Sequence, residues 1–245
     1  MWLRGLDLQF RSYPFDWMAH AGLQPRVDLL LNDFAGLADI QNYVPAPKPA
    51  GNDSHCDFYE HTPSTIQFFH EFPQGRPLAE TFPSFADRYA RRIRRLDRDV
   101  RSAERVLFVW LHHHGQTTDE TLLLAQKALS AKYGKTVYLL ALENDPGKQG
   151  TDRVEKKELS PFVTRYSLDT LSSDKDPVVG NERLLRPLFN HLRLQMPLSR
   201  RIWLKVKGLV LEPAAWPLFR SAWKNRFFRK FYKERGYRQK IHRSF

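Results

Sequence analysis

The sequence predicts an α/β protein with a mostly parallel sheet and flanking helices, followed by a basic helical tail. Three observations carry this. Val106-Leu107-Phe108-Val109-Trp110-Leu111 and Val137-Tyr138-Leu139-Leu140-Ala141-Leu142 are continuous apolar runs, the pattern of strands buried on both faces. Between them Leu122, Ala125 and Leu129 recur at helical spacing, ending near Gly134. Strand, helix and strand over 105–142 make a Rossmann-like βαβ unit, so the two strands should be parallel with a right-handed crossover. The third observation is the charge partition. Residues 191–245 hold 15 Lys/Arg and 2 Asp/Glu, a net of +13, and residues 1–190 carry a net of −1. This divides the chain into a neutral body, 1–190, and a basic tail, 191–245.

The 245 residues suit one large domain or one domain with an appendage. Hydrophobic residues at 42% and charged residues at 27% exclude wholesale disorder. The single cysteine, Cys56, excludes an internal disulfide and a cysteine-rich zinc site, and points to a reducing compartment. No apolar run reaches the length of a membrane span and no signal peptide opens the chain. A cytoplasmic protein is expected, peripheral at the inner membrane face if the tail binds there.

Along the chain, Met1–Leu6 reads as the end of a helix without its beginning, and Tyr13-Pro14-Phe15-Asp16-Trp17 as a Pro-anchored aromatic turn. Val27, Leu30, Leu31, Phe34 and Leu37 predict a helix over 25–37. Residues 44–54 read as a loop, 65–70 as a strand, and Pro73, Pro77 and Pro83 as a connection. Tyr89, Ile93, Leu96, Val100 and Ala103 form one helical stripe over 85–104, with five arginines around the remaining surface. Thr117 and Glu120 have the spacing of a capping box. Residues 162–168 predict another strand and 181–195 a closing helix.

Ligands of open parallel sheets bind beyond the carboxyl ends of the strands. Those ends are read as His70-Glu71, His112-His113-His114-Gly115, Glu143-Asn144-Asp145 and Asp169. Glu71, His112 and Asn144 are thus cleft candidates, although polar strand ends are general in α/β proteins. The three consecutive histidines read as a solvated loop, since their rings diverge and no carboxylate follows at ligand spacing; no metal site is expected. Glu143-Asn144-Asp145-Pro146-Gly147 reads as a turn. Neither GxGxxG nor GxxxxGK[ST] nor GxSxG occurs, so no cofactor is expected. Cys56 lies among Asp53, His55 and Asp57, where the carboxylates disfavour a thiolate, so a non-catalytic thiol is the better reading.

Four segments together resemble a bacterial family: Tyr13-Pro14-Phe15-Asp16-Trp17, Phe68-Phe69-His70-Glu71-Phe72, Tyr89-Ala90-Arg91-Arg92-Ile93-Arg94-Arg95-Leu96 and Val106-Leu107-Phe108-Val109. Over residues 10–111 the chain is similar to the papain-like cysteine peptidases grouped as domain of unknown function 1796. Members of that family often lie among genes for surface-polysaccharide synthesis. The resemblance implies a nucleophilic Cys in a Gly-x-Asn-Cys-like segment shortly before the Pro-Phe-Asp-Trp turn, a position that would fall just ahead of Met1. Cys56 is not at that position. The resemblance therefore implies either a truncated member or one that has lost its nucleophile. By carry-over His70 would be the general base and Asp16 an orienting acid, with Trp17 beside them; without a thiolate they cannot perform nucleophilic catalysis. Asp16 reads equally well as a turn-stabilising side chain below Trp17. Papain-like folds use an antiparallel sheet, whereas 105–142 reads as parallel. The substrate would be a glycan or a peptide.

In the tail, Phe219, Trp223, Phe227 and Phe231 recur every fourth residue, and Arg220, Lys224, Arg226, Arg229, Lys230, Lys233 and Arg235 occupy much of the remainder. Basic helices with Trp and Phe on one side suit an anionic membrane surface, here through residues 216–240. The competing reading packs the aromatic stripe on the body. Nucleic acid ranks last, because the body lacks a matching basic face and no reader motif is present.

Overall fold

The computed structural model describes residues 11–48, 54–112, 115–145 and 154–168. They form an α/β fold with two sheets and three α-helices. The first sheet is antiparallel in the order β1-β2-β3, with β1 Tyr43–Pro45, β2 Cys56–His61 and β3 Ile66–Pro73. The second has the order β4-β5-β7-β6, with β4 Val106–His112, β5 Val137–Asn144, β6 Val154–Ser160 and β7 Val163–Leu168. The helices are α1 Leu23–Leu31, α2 Leu78–Ser102 and α3 Asp119–Tyr133.

The βαβ unit has the expected direction. β4 pairs in parallel with β5, and β5 with β7. The helix between β4 and β5 starts at Thr118, whose side chain accepts from the Thr121 amide, rather than at Thr117. It ends on Gly134 at φ 61°, a left-handed conformation that glycine adopts without a Cβ clash. Buried Gln126 ties α3 to β5 by donating to the Val137 carbonyl at 2.8 Å.

The second sheet is mostly parallel, as expected, and the structure adds two antiparallel features. β6 turns back on β7 in antiparallel register, making this sheet mixed, and the first sheet is wholly antiparallel. His70 and Glu71 therefore lie within an antiparallel strand and not at the carboxyl end of a parallel one. Cys56, placed by the sequence in a polar segment without an assigned element, opens strand β2, and the predicted loop over 44–54 begins inside β1. Pro83, read as part of a connection, sits inside the 25-residue helix α2. A proline in the second turn removes one backbone bond, and the long apolar stripe beyond it sustains the helix. The helix predicted over 25–37 stops at Leu31; Asp33 and Phe34 then take positive φ and Gly36 closes the turn at φ 81°.

The core is continuous. Phe82, Phe85, Tyr89, Leu96 and Val100 line the buried side of α2. They join Phe68 and Phe72 of β3, Val27 and Leu30 of α1, Leu122 and Leu129 of α3, and Val137, Leu139 and Ala141 of β5 in one cluster. Phe85 is fully buried, with ring centroids 4.5 Å from Tyr89, 4.9 Å from Phe72 and 5.2 Å from Phe68. Lys135 closes the far end of α2, donating to the carbonyls of Val100, Arg101 and Ala103 at 3.1, 2.7 and 2.8 Å. No described helix is long and apolar enough to cross a membrane. The predicted segments Met1–Leu6, 181–195 and 216–240, and Asp169, lie outside the described residues.

Candidate functional site

The sequence-predicted residues fall at two stations. The first lies where the turn Pro14–Trp17 meets β3 and α2. Pro14 sets the turn and Asp16 closes it, its Oδ2 accepting from the Tyr13 amide at 2.8 Å. Tyr13 in turn donates its hydroxyl to Asp99 Oδ2 at 2.8 Å. Burial and the Asp99 carboxylate push the Tyr13 phenol up to about 12. Trp17 donates its indole N–H to Ser12 Oγ at 3.1 Å, and Arg95 Nη1 donates to the Ser12 carbonyl at 2.7 Å. The chain leading into the turn is thereby pinned beside Trp17.

His70 is exposed on β3 and meets Trp17 edge to face, with centroids 5.9 Å apart at 78°. Among the described residues its imidazole has no hydrogen-bond partner. Asp16 therefore does not orient it by a direct hydrogen bond, and its turn-closing geometry matches the alternative reading of that residue. Cys56 is half-buried opposite Pro73 on β2 and makes no hydrogen bond to His70.

Glu71 points the other way, into the protein, and is 8% exposed. Oε2 accepts from Arg88 Nη2 at 2.8 Å, and Oε1 accepts from Arg92 Nη1 at 2.8 Å and from the Tyr89 hydroxyl at 3.3 Å. Burial, reinforced by this carboxylate, raises the Tyr89 phenol well above its ordinary value. The Arg92 guanidinium lies 4.9 Å from the Tyr89 ring centroid and 5.8 Å from that of Trp17. Glu71 is thus the anchor of a clamp that holds α2 on β3 and seats Trp17, which in turn borders His70. Its charge is already matched by two cations.

The second station is the carboxyl end of the parallel strands. His112 ends β4, with its ring 5.5 Å from that of Trp110, and Asn144 ends β5, with Oδ1 enclosed and unpartnered. Glu143 between them is not in a turn, as the sequence suggests, but in the strand, with no exposure at all. Oε1 accepts from the Thr117 amide at 2.9 Å and Trp110 Nε1 at 3.1 Å. Oε2 is 2.9 Å from Arg165 Nε, an ion contact without hydrogen-bond alignment. Arg165, 7% exposed, also contacts Asp119 Oδ1 at 2.5 Å and donates to the Thr117 carbonyl. Lys157, with Arg165 beside it, holds the Asp119 carboxyl below the usual range. This network fastens the start of α3 across the ends of β5 and β7.

Sequence reasoning saw Glu143 only as part of a strand end and turn, and passed over Arg165 and Arg26. Glu143 and Arg165 are 22 positions apart and give no local signal. Arg26 joins the stations: its Nη2 donates to the carbonyls of Met18 at 3.2 Å and His20 at 2.6 Å, and its guanidinium lies 5.7 Å from the Trp110 ring centroid. Burial lowers its pKa to about 10. The carbonyls that it gathers flank a strained spot, since His20 and Ala21 both take positive φ, at 52° and 54°.

A groove of about 270 Å³ opens elsewhere, between α2 and the turn after α1, lined by Phe34, Leu37, Ala86, Ala90 and Ile93, with Asp33 and Arg94. No candidate residue from the sequence reading lies in it. Among the described residues no group of three or more His, Cys, Asp or Glu could hold a metal ion. Trp223, Lys224, Arg226, Phe227, Arg229 and Lys230 lie outside the described residues. No family model, no curated protein and no solved structure matches the chain.

Proposed function

We propose that this chain is a relative of the papain-like cysteine hydrolases that engages a surface glycan or a peptide at the Trp17–His70 station. The observation carrying the reading is the placement of His70: an exposed imidazole without a hydrogen-bond partner among the described residues, edge-on to a Trp that is itself held by Ser12 and flanked by Arg92. An imidazole so placed can accept or deliver a proton at a bound ligand. Among the described residues Cys56 makes no hydrogen bond to His70, so the role read here for the station is ligand binding with proton exchange at the imidazole.

The test is a histidine-selective NMR titration of the full chain with short peptides and with neutral and acidic oligosaccharides. One of these ligand classes should shift the His70 ring resonances, and Trp17→Ala should abolish the shift while His61 stays unmoved. Ligands that move other histidines but never His70 would refute the reading.

The charge partition favours a second, separate role for the tail. A net of +13 over 191–245, with an aromatic repeat at Phe219, Trp223, Phe227 and Phe231, suits an anionic membrane surface. Sedimentation with anionic liposomes should pellet the full chain, with recovery in the supernatant at high salt. Failure to pellet at low salt would remove this role.

A further inference from the structure

The groove between α2 and the turn after α1 takes no part in either station. Ala86, Ala90 and Ile93 line it at positions i, i+4 and i+7 of α2, one face of the helix. The residues around them on α2 include Phe82, Phe85 and Tyr89, so the two alanines are a local step down in side-chain volume. The opposite wall is Phe34 and Leu37, both buried. That wall is pinned. The Tyr43 hydroxyl donates to the Leu37 carbonyl at 2.7 Å, and Asn42 Nδ2 to the Gly36 carbonyl at 2.9 Å. Phe34 rests on Phe15, with ring centroids 5.4 Å apart. Asp33 and Phe34 take positive φ, at 53° and 58°, a conformation that a bulky side chain keeps only where its surroundings impose it. A pinned wall facing two alanines makes a preformed recess. Its volume of about 270 Å³ lies just below the usual range of small-molecule sites, which suits a small ligand.

We propose that this groove binds a small organic acid, its alkyl or aryl body against Ala86, Ala90 and Phe34 and its carboxylate on Arg94. Charge at the groove selects this ligand. Two charged residues line it, Asp33 and Arg94. The Asp33 carboxylate is already matched, its Oδ1 accepting from Lys132 Nζ of α3 at 2.6 Å. Arg94 is exposed, and among the described residues its guanidinium makes no hydrogen bond or ion pair. The remaining cation therefore decides the sign of the ligand. A planar guanidinium meets a carboxylate with two parallel hydrogen bonds, which fixes the head group while the apolar recess takes the body. A neutral ligand of the same shape leaves Arg94 unused, and an amine meets a like charge.

The experiment titrates the full chain, methyl-labelled at Ala, Ile and Leu, with octanoate, and with octanol and octylamine as neutral and cationic counterparts of equal length. Octanoate should shift the Ala86, Ala90, Ile93 and Leu37 methyl resonances to saturation, and octylamine should bind more weakly than either of the others. The readout is local, so octanoate gathered by the basic residues of 191–245 does not register. Arg94→Gln should weaken octanoate about fivefold, the upper reach of a solvent-exposed ion pair, and leave octanol unchanged. This surface variant keeps the fold intact, whatever the groove binds. Ala90→Leu fills the recess and should abolish the shifts of the other three residues. Octanoate that moves no groove methyl, equal affinity for octanoate and octylamine, an Arg94→Gln variant as tight as the parent, or binding that survives Ala90→Leu would each overturn the proposal.

Discussion

The Glu143–Arg165 contact offers a sharp energetic test. Glu143 is 0% exposed and Arg165 7%, so neither charge can recover hydration if its partner is removed. Glu143→Met deletes an acceptor used by the Thr117 amide at 2.9 Å and by Trp110 Nε1 at 3.1 Å. The indole N–H keeps a second acceptor, Thr117 Oγ1 at 2.9 Å, so the Thr117 amide is the group left stranded, at about 1–3 kcal/mol. The guanidinium retains only half-exposed Asp119 and one carbonyl, which adds an incompletely compensated buried charge. The sum is about 3–5 kcal/mol, the usual cost of breaking a buried pair from one side. Arg165→Met should cost as much, because it leaves a fully enclosed carboxylate facing no cation. The double variant replaces both charges with apolar side chains of similar volume and should be more stable than the sum of the singles implies, by about 2 kcal/mol or more. Urea unfolding followed by far-ultraviolet circular dichroism measures all four corners of the cycle. Single-variant losses below about 1 kcal/mol, the range of exposed pairs, would refute the reasoning, as would strict additivity.

Phe85→Ala should cost about 3–5 kcal/mol by emptying the centre of the aromatic cluster, read in the same urea experiment. Gly134→Ala should cost about 1 kcal/mol through backbone strain alone, since a Cβ there meets nothing within 4 Å; a loss several times larger would contradict the open surroundings. Burial lowers the pKa of His61, whose ring is held by Ser64 and the Gly36 carbonyl. The unfolded chain therefore binds the proton more readily, so stability is full above the ordinary value of 6.5 and falls as the pH drops below it towards the lowered folded value. His61→Gln should flatten that part of the stability curve, and an unchanged slope between pH 7 and 5 would count against the buried neutral ring.

What was legible in the sequence follows from where burial is continuous. β4, α3 and β5 could be read because their strands are apolar on both faces and Gly134 marks the helix end. β6 gave no such signal: Val154-Glu155-Lys156-Lys157-Glu158-Leu159-Ser160 is an edge strand whose middle residues are exposed, and charges at an edge discourage pairing with other chains. β2 hid behind its composition, since Cys56-Asp57-Phe58-Tyr59-Glu60-His61 buries only Phe58 and His61 and follows a polar loop. The start of α2 hid behind Pro77 and Pro83, whose local preference yields to the stripe running from Phe82 to Val100. In each miss the deciding contacts were tertiary, and the local pattern pointed elsewhere.

The site was legible by residue type and illegible by partner. Adjacent residues of β3 received opposite roles: His70 faces out and makes no hydrogen bond among the described residues, while Glu71 faces in and is shared by Arg88, Arg92 and Tyr89. Regular alternation would have put His70 on the face of Phe68 and Phe72; the register shift between β2 and β3 here turns Glu71 inward beside Phe72 and His70 outward, which no sequence pattern announces. The arginines of α2 show the same division. Arg92 and Arg95 are spent on Glu71 and Ser12, on the side that seats Trp17, and Arg98 and Arg101 on Asp99 and Asp97. One side of the helix, with Arg88, Arg92 and Arg95, is therefore an internal fastening, whereas Arg91, Arg94 and Arg98 remain exposed as the sequence reading has them, and Arg101 with them. The carboxylates of residues 1–190 balance their cations to a net of −1, so the positive excess of the chain is carried by residues 191–245.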